Sequence, residues 1–204
     1  MSDKPRIGID VDGVMLDPDI RWREFFREQY RAKRCDHRFV FEDEAATVWL
    51  HWPQTCAACF DLCLTSPAVL MRHVPRPHVR SVLTRHFRDF DFFCISHRSI
   101  EQLDAVTQQR VQTMTQSWLA SFDLEALFVD VAFVDDKRAY CEQNGIMLHL
   151  DDSPHVIDSL LGSPVTRPVI YSRLYNRGFN DVANPGGEIV HVPGRNVLEI
   201  LRVA

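Results

Sequence analysis

The chain has 204 residues, 46% of them hydrophobic and 25% charged, with a net charge of −5 at neutral pH. This composition supports a globular core with a modest insertion and excludes a disordered chain. No long block of either sign occurs, which argues against a general binder of nucleic-acid polymer or of a membrane surface.

The first element is the apolar run Ile7-Gly8-Ile9, which ends abruptly in Asp10-Val11-Asp12-Gly13-Val14. Read as a buried parallel strand, its carboxyl end presents two acids, and Gly13 lets the chain turn away sharply. Ligands in open α/β sheets bind at that edge. Two carboxylates near one point suit nucleophilic and acid–base chemistry, and they equally suit a hard cation such as Mg²⁺. The plain alternative is a strand capped by a turn, where Asp and Gly are ordinary.

A second segment opens at Asp17-Pro18. Trp22, Phe25, Phe26 and Tyr30 recur at helical spacing, and Arg21, Arg23, Arg27, Arg31, Lys33 and Arg34 mark the opposite face. The spacing predicts further helices over 42–50 and 54–63, broken at Pro53. Ser66-Pro67 signals a helix start, and Val74-Pro75-Arg76-Pro77 a boundary. Residues 18–75 thus read as a helical insertion between residues 1–17 and the remainder, 76–204. Its aromatics, with Trp49 and Trp52, read as the insertion's own core ahead of a stacking surface for a base. Its basic face reads as a solvated one.

From residue 76 strands and helices alternate. Helices are predicted over 78–88, 99–121, 136–143, 154–161 and 195–202. Strands are predicted over 91–95, 127–134, 146–150, 167–171 and 188–192. Asn144-Gly145 stops one helix, and Pro185-Gly186-Gly187 turns the chain before the last strand. Such alternation implies a Rossmann-like parallel sheet with helices on both faces. The six cysteines (35, 56, 59, 63, 94 and 141) form no disulfide framework, which points to a reduced cytoplasm. Cys56, Cys59 and Cys63 share a helical face, but buried packing explains them better than metal or redox chemistry. Lys4-Pro5-Arg6 leads straight into the first strand without a secretory signal. No apolar stretch approaches the ~20 residues a membrane span needs.

Three more strand ends carry chemistry. Phe92-Phe93-Cys94-Ile95 runs into Ser96-His97-Arg98, Lys137 follows the apolar run from Leu127 to Val134, and Ile146 to Leu150 ends in Asp151-Asp152. The rival pair Asp135-Asp136 is better read as charge at a helix start. Asp152-Ser153-Pro154 also begins a helix, with Pro at its first position. An N-cap accounts for one acid there and not for two.

Taken in order, these four sites resemble the four motifs of the haloacid dehalogenase-like phosphohydrolase superfamily. The resemblance covers most of the chain and implies that superfamily's α/β core, with residues 18–75 as a cap over the active site. It implies Asp10 as the nucleophile that forms an aspartyl-phosphate and Asp12 as the general acid–base. Ser96 would donate to a phosphate oxygen. Lys137 would neutralise charge on the phosphate and on Asp10, with Arg138 as its alternative. Mg²⁺, or Mn²⁺ in its place, would be held by Asp10, the Asp12 carbonyl and Asp151, with Asp152 completing the site. Ser96-His97-Arg98 looks like the Ser/Thr-x-Arg motif of 5'(3')-deoxyribonucleotidase-like members, which brings His97 and Arg98 to the substrate. Leu174-Tyr175-Asn176-Arg177 is similar to a Tyr-Asn loop of that branch.

The expectation is therefore a Mg²⁺-dependent phosphatase on a small phosphate monoester, foremost a nucleoside or deoxynucleoside 5'-monophosphate. Asp12 sets a dehalogenase aside, because that chemistry needs no acid for an alkoxide leaving group. A sugar phosphate is the alternative substrate, and a non-catalytic nucleotide or partner binder is the alternative class. The expected setting is cytoplasmic, and a homodimer is left open.

Overall fold

The computed structural model describes residues 3–17, 24, 25, 28, 65–98, 104–171, 176 and 190–192. Among them, six parallel strands form one sheet: β1 (Arg6–Ile9), β2 (Asp91–Ser96), β3 (Asp130–Phe133), β4 (Leu148–Asp151), β5 (Arg167–Tyr171) and β6 (Val190–Val192). Their order is β3-β2-β1-β4-β5-β6. The order reverses between β1 and β4, and a crevice opens at the carboxyl ends of such a pair. The expected Rossmann-like sheet is present.

Helices α1 (Pro67–Leu70), α2 (Val79–His86), α3 (Ala105–Ser121), α4 (Lys137–Gln143) and α5 (Pro154–Leu160) connect the described strands. The sheet is buried on both faces, as a parallel sheet must be. One face carries Ile7, Ile9, Phe92, Cys94, Leu148 and Leu150, packed with Leu83 of α2 and Met114 and Trp118 of α3. The other carries Phe93 and Ile95, packed with Cys141 of α4 and Leu160 of α5. Alternate residues of each strand serve the two layers, because side chains on a strand point to opposite faces.

The helix signals act as their chemistry dictates. Ser66 precedes Pro67 at the start of α1, and Ser153 precedes Pro154 at the start of α5. Asp104 caps α3 by accepting from the amides of Val106 and Thr107. The predicted start of that helix, at 99, lies outside the described residues. The third strand is shorter than predicted. Glu125–Leu127 form a turn of 3-10 helix instead, after Asp123 takes a φ of 54°. Leu127 and Phe128 are apolar because they pack on the edge of the core, and Val129 is exposed. An apolar run alone does not distinguish a strand from a core-covering turn.

Most of the predicted cap lies outside the described residues. So do Trp22, Phe26, Tyr30, Trp49, Trp52, Cys56, Cys59, Cys63, Tyr175 and the helix predicted over 195–202. The two ends of the predicted insertion run side by side. Leu16 bridges Pro75, the Arg76 amide donates to the Met15 carbonyl at 2.8 Å, and Arg76 pairs with Asp17 at 3.1 Å. Arg76 also donates to the Gly13 carbonyl at 3.2 Å, which ties this crossing to the loop after β1. Among the described residues, no helix is long and apolar enough to cross a membrane.

Candidate active site

The site is assembled where the strand order reverses. Ile9 of β1 pairs with Leu150 of β4, so Asp10 and Asp151 leave the sheet side by side. The Asp10 amide still donates to the Leu150 carbonyl at 2.9 Å, which fixes the nucleophile candidate to the sheet edge. β2, on the other side of β1, ends in Ser96. Lys137 arrives as the first residue of α4. The Asp136 side chain caps that helix by accepting from the Ala139 amide at 2.9 Å, so this acid serves the helix start as expected.

Lys137 joins the two strand ends. Its Nζ lies 2.6 Å from Asp10 Oδ1 and 2.6 Å from Asp151 Oδ2, and all three side chains are buried. Burial pushes the Asp10 carboxyl up to about 7, against the pull of Lys137. Burial also opposes ionisation of Asp151, but Lys137 and His149 outweigh it and hold that carboxyl well below the usual range. Lys137 is buried too, and its two carboxylate partners keep it charged. A proton entering this trio therefore goes to Asp10. Arg138, the alternative lysine-site residue, points elsewhere, to Glu142 at 2.9 Å and the Ser159 carbonyl at 3.1 Å.

Asp12 has a cation of its own. Arg98 donates to Asp12 through Nε at 2.7 Å and Nη2 at 2.6 Å, a bidentate clamp. Burial works against the Asp12 charge, and Arg98 outweighs it, so the carboxyl sits below its ordinary range. Thr115 of α3 accepts from Arg98 Nη1 at 2.9 Å and holds the guanidinium in place. Arg98, expected at the substrate, thus has its described polar contacts inside the protein. His97 is exposed beside it. The Ser96 hydroxyl is buried and has no hydrogen-bond partner among the described residues, and a phosphate oxygen would satisfy it.

Asp10, Asp151 and Asp152 offer carboxylate oxygens within 4.8 Å of one another. This all-oxygen donor set fits a hard divalent cation such as Mg²⁺, and a single ammonium serves two of the three acids. Gly13 makes room for the third. It has a φ of 79°, and a Cβ there would lie 1.4 Å from Asp152 Oδ2. Asn176 fixes the same acid from behind, donating to the Asp152 carbonyl at 2.8 Å and the Tyr171 carbonyl at 2.9 Å.

Sequence reasoning missed Thr115 and His149, and it placed Asn176 only in a motif without a role. Thr115 gives no signal, because a threonine inside a long helix is ordinary. His149 gives one: an ionisable ring within an apolar strand run, which needs a buried partner.

No family model and no curated protein matches the sequence significantly. Solved structures do match the fold. A haloacid dehalogenase-like family hydrolase from Streptococcus pneumoniae aligns with a TM-score of 0.66 at 8% identity, over 100% of this chain and 99% of that one. A HAD-superfamily hydrolase of subfamily IA from Geobacter sulfurreducens aligns at 0.62 and 16% identity, over 98% and 100%. A predicted phosphatase from Clostridium acetobutylicum aligns at 0.59 and 10% identity, over the whole of both chains. The fold is that of the haloacid dehalogenase-like hydrolases. The nucleotidase branch rests on the sequence motifs alone.

Proposed function

We propose that this protein is a phosphatase, a divalent-metal-dependent phosphomonoesterase working through an aspartyl-phosphate. The observation that carries the reading is the convergence of Asp10, Lys137, Asp151 and Asp152 at the switch point of the sheet. A lone strand-end turn needs neither the buried lysine nor the third acid.

An ionised Asp10 oxygen attacks the phosphorus of the ester in line with the leaving oxygen, and the ester P–O bond breaks. Arg98 holds Asp12 ionised at rest, so Asp12 first takes up a proton as the incoming ester loosens the clamp, and then gives that proton to the departing alkoxide. The resulting Asp12 carboxylate then takes a proton from a water molecule, whose oxygen attacks the phosphorus of the aspartyl-phosphate. Inorganic phosphate leaves and Asp10 is restored. Lys137 stays charged beside Asp10 and offsets the negative charge that gathers there. Ser96 donates its hydroxyl to a phosphate oxygen.

Asp10, the Asp12 carbonyl and the Asp151-Asp152 pair would hold the cation, which when bound polarises the phosphoryl group. Of the pair, Asp151 is already tied to the protein's own donors. Both Asp151 oxygens are engaged: Oδ2 by Lys137 and His149, and Oδ1 by the Ser153 amide at 2.9 Å.

The substrate is a small phosphate monoester. A nucleoside or deoxynucleoside 5'-monophosphate remains the finer reading, carried by Ser96-His97-Arg98 in the sequence. Two residues that suggested it have internal partners, Arg98 at Asp12 and Asn176 beneath Asp152, so a sugar phosphate stands beside it. The test is phosphate release from nucleoside monophosphates, sugar phosphates and an aryl phosphate, with Mg²⁺ and with EDTA, beside Asp10→Asn. Metal-dependent release that disappears in the variant is the expected outcome. No release from any substrate would leave a non-catalytic binder.

A further inference from the structure

His149 stands in the interior of β4, wholly buried, and the chemistry above asks nothing of it. Its Nε2 lies 3.1 Å from Asp151 Oδ2. That same oxygen accepts from Lys137 Nζ at 2.6 Å, and Lys137 reaches Asp10 Oδ1 at 2.6 Å. An unbroken line of buried contacts therefore runs from His149 through Asp151 and Lys137 to the nucleophile candidate.

The neighbouring strand is built to admit this ring. Gly8 of β1 is the register partner of His149. A Cβ at position 8 would lie 2.6 Å from His149 Nδ1 and 2.7 Å from Ile95 Cδ1. Glycine weakens a strand interior, and an imidazole there has to find a polar partner in a dry setting. An apolar side chain at 149 would avoid the second cost. The glycine admits the ring on its Nδ1 side, and the ring's side-chain partner, Asp151, lies on its Nε2 side.

We propose that His149 is a positioning residue: its ring donates from Nε2 to Asp151 and so fixes the oxygen that anchors Lys137 against Asp10. The proposal rests on the phosphatase reading. A carboxylate oxygen held by two donors from different directions cannot rotate freely, and Lys137 then has one seat. This is how a residue behind a reacting group sets its orientation. The tautomer follows from the partner. A carboxylate oxygen only accepts, so the ring nitrogen facing Asp151 carries the hydrogen; Nδ1, on the other side of the ring, faces the Gly8 backbone and has no well-formed hydrogen bond among the described residues.

Two measurements test this. Ring ¹⁵N NMR of the full-length wild-type protein reads the tautomer directly, with Asp151→Asn identifying the signal that responds. Hydrogen on Nε2 is expected; a ring protonated at Nδ1 alone overturns the proposal. Steady-state kinetics then compare His149→Leu with His149→Gln, whose amide carries a donor to about the reach of Nε2. The leucine variant should lose about 10- to 100-fold in kcat with KM nearly unchanged. The glutamine variant should recover most of that loss. A leucine variant with wild-type kcat, or a glutamine variant as impaired as leucine at equal urea midpoints, overturns it. A wild type that hydrolyses no phosphate monoester would instead sink the phosphatase reading, and the ring spectrum would still decide whether His149 anchors Asp151.

Discussion

Arg98 clamps both carboxylate oxygens of Asp12, at 2.7 and 2.6 Å, across 86 residues of sequence. The clamp is set from behind by Thr115. It holds Asp12 as a base. Proton donation to a leaving group therefore requires the clamp to loosen as the ester oxygen approaches, whereas activation of water does not.

Arg98→Met removes the clamp and keeps much of the volume. Hydrolysis of an alkyl phosphate, whose leaving group needs a proton, should fall about 100-fold through misplacement of Asp12. Hydrolysis of 4-nitrophenyl phosphate, whose leaving group departs readily as a phenolate, should fall far less. Equal losses on both substrates would return Arg98 to the substrate-binding role that the sequence suggested.

Lys137→Met leaves Asp10 and Asp151 buried and facing each other without their shared cation. Breaking a buried ion pair in this way costs about 3–5 kcal/mol. Thermal unfolding in EDTA should show the loss, and Mg²⁺ should restore more of it than it adds to the wild type. Phosphate release should vanish. A variant as stable as wild type in EDTA would mean that Lys137 does not hold the two acids together.

Gly13→Ala forces a Cβ onto a left-handed backbone and into the Asp152 carboxylate. The backbone term alone is about 1–2 kcal/mol. The urea midpoint should drop by at least that much, and half-saturation by Mg²⁺ should need more metal. An unchanged Mg²⁺ requirement would argue against Asp152 as a ligand.

Metal stabilisation should depend on pH through Asp10. Its carboxyl is raised from 3.8 to about 7 in the metal-free fold, so protonation stabilises that fold. This contribution is fully present below about pH 4 and is lost as pH rises through about 7. A cation must displace that proton, so its stabilising effect is weak near pH 5.5 and full above about pH 8. At a free concentration of 100 times Kd the full effect is about 2.7 kcal/mol. Melting curves with Mg²⁺ and with EDTA across this range check it, and a Mg²⁺ shift independent of pH would remove Asp10 from the metal site.

Much of this was legible in the sequence. Each of Asp10, Ser96 and Asp151 closes an apolar run, and Lys137 opens the helix after one. Strand burial is written in residue type at short range, and a polar residue at the end of a buried run has only the sheet edge to occupy. The alternation of elements was sufficient for the parallel sheet, and Ser66-Pro67 and Ser153-Pro154 marked helix starts by local backbone chemistry. The run from Leu127 misled by three residues, because burial of Leu127 and Phe128 against the core looks the same in sequence as burial in a strand.

Only the tertiary structure decided which of these ends touch. A run of apolar residues does not state its neighbours; the strand order does, and that order depends on packing two helical layers at once. It set Lys137 against an acid 127 residues away, placed Arg98 on Asp12 with Thr115 behind it, and opened Gly8 to the ring of His149. The sequence determined which groups reach the edge of the sheet, because that is a matter of local period and solvation. The fold determined their partners, and with them which carboxylate is base, which holds the proton and which faces Gly13, because charge and proton affinity are set by whatever lies within a few ångströms in space.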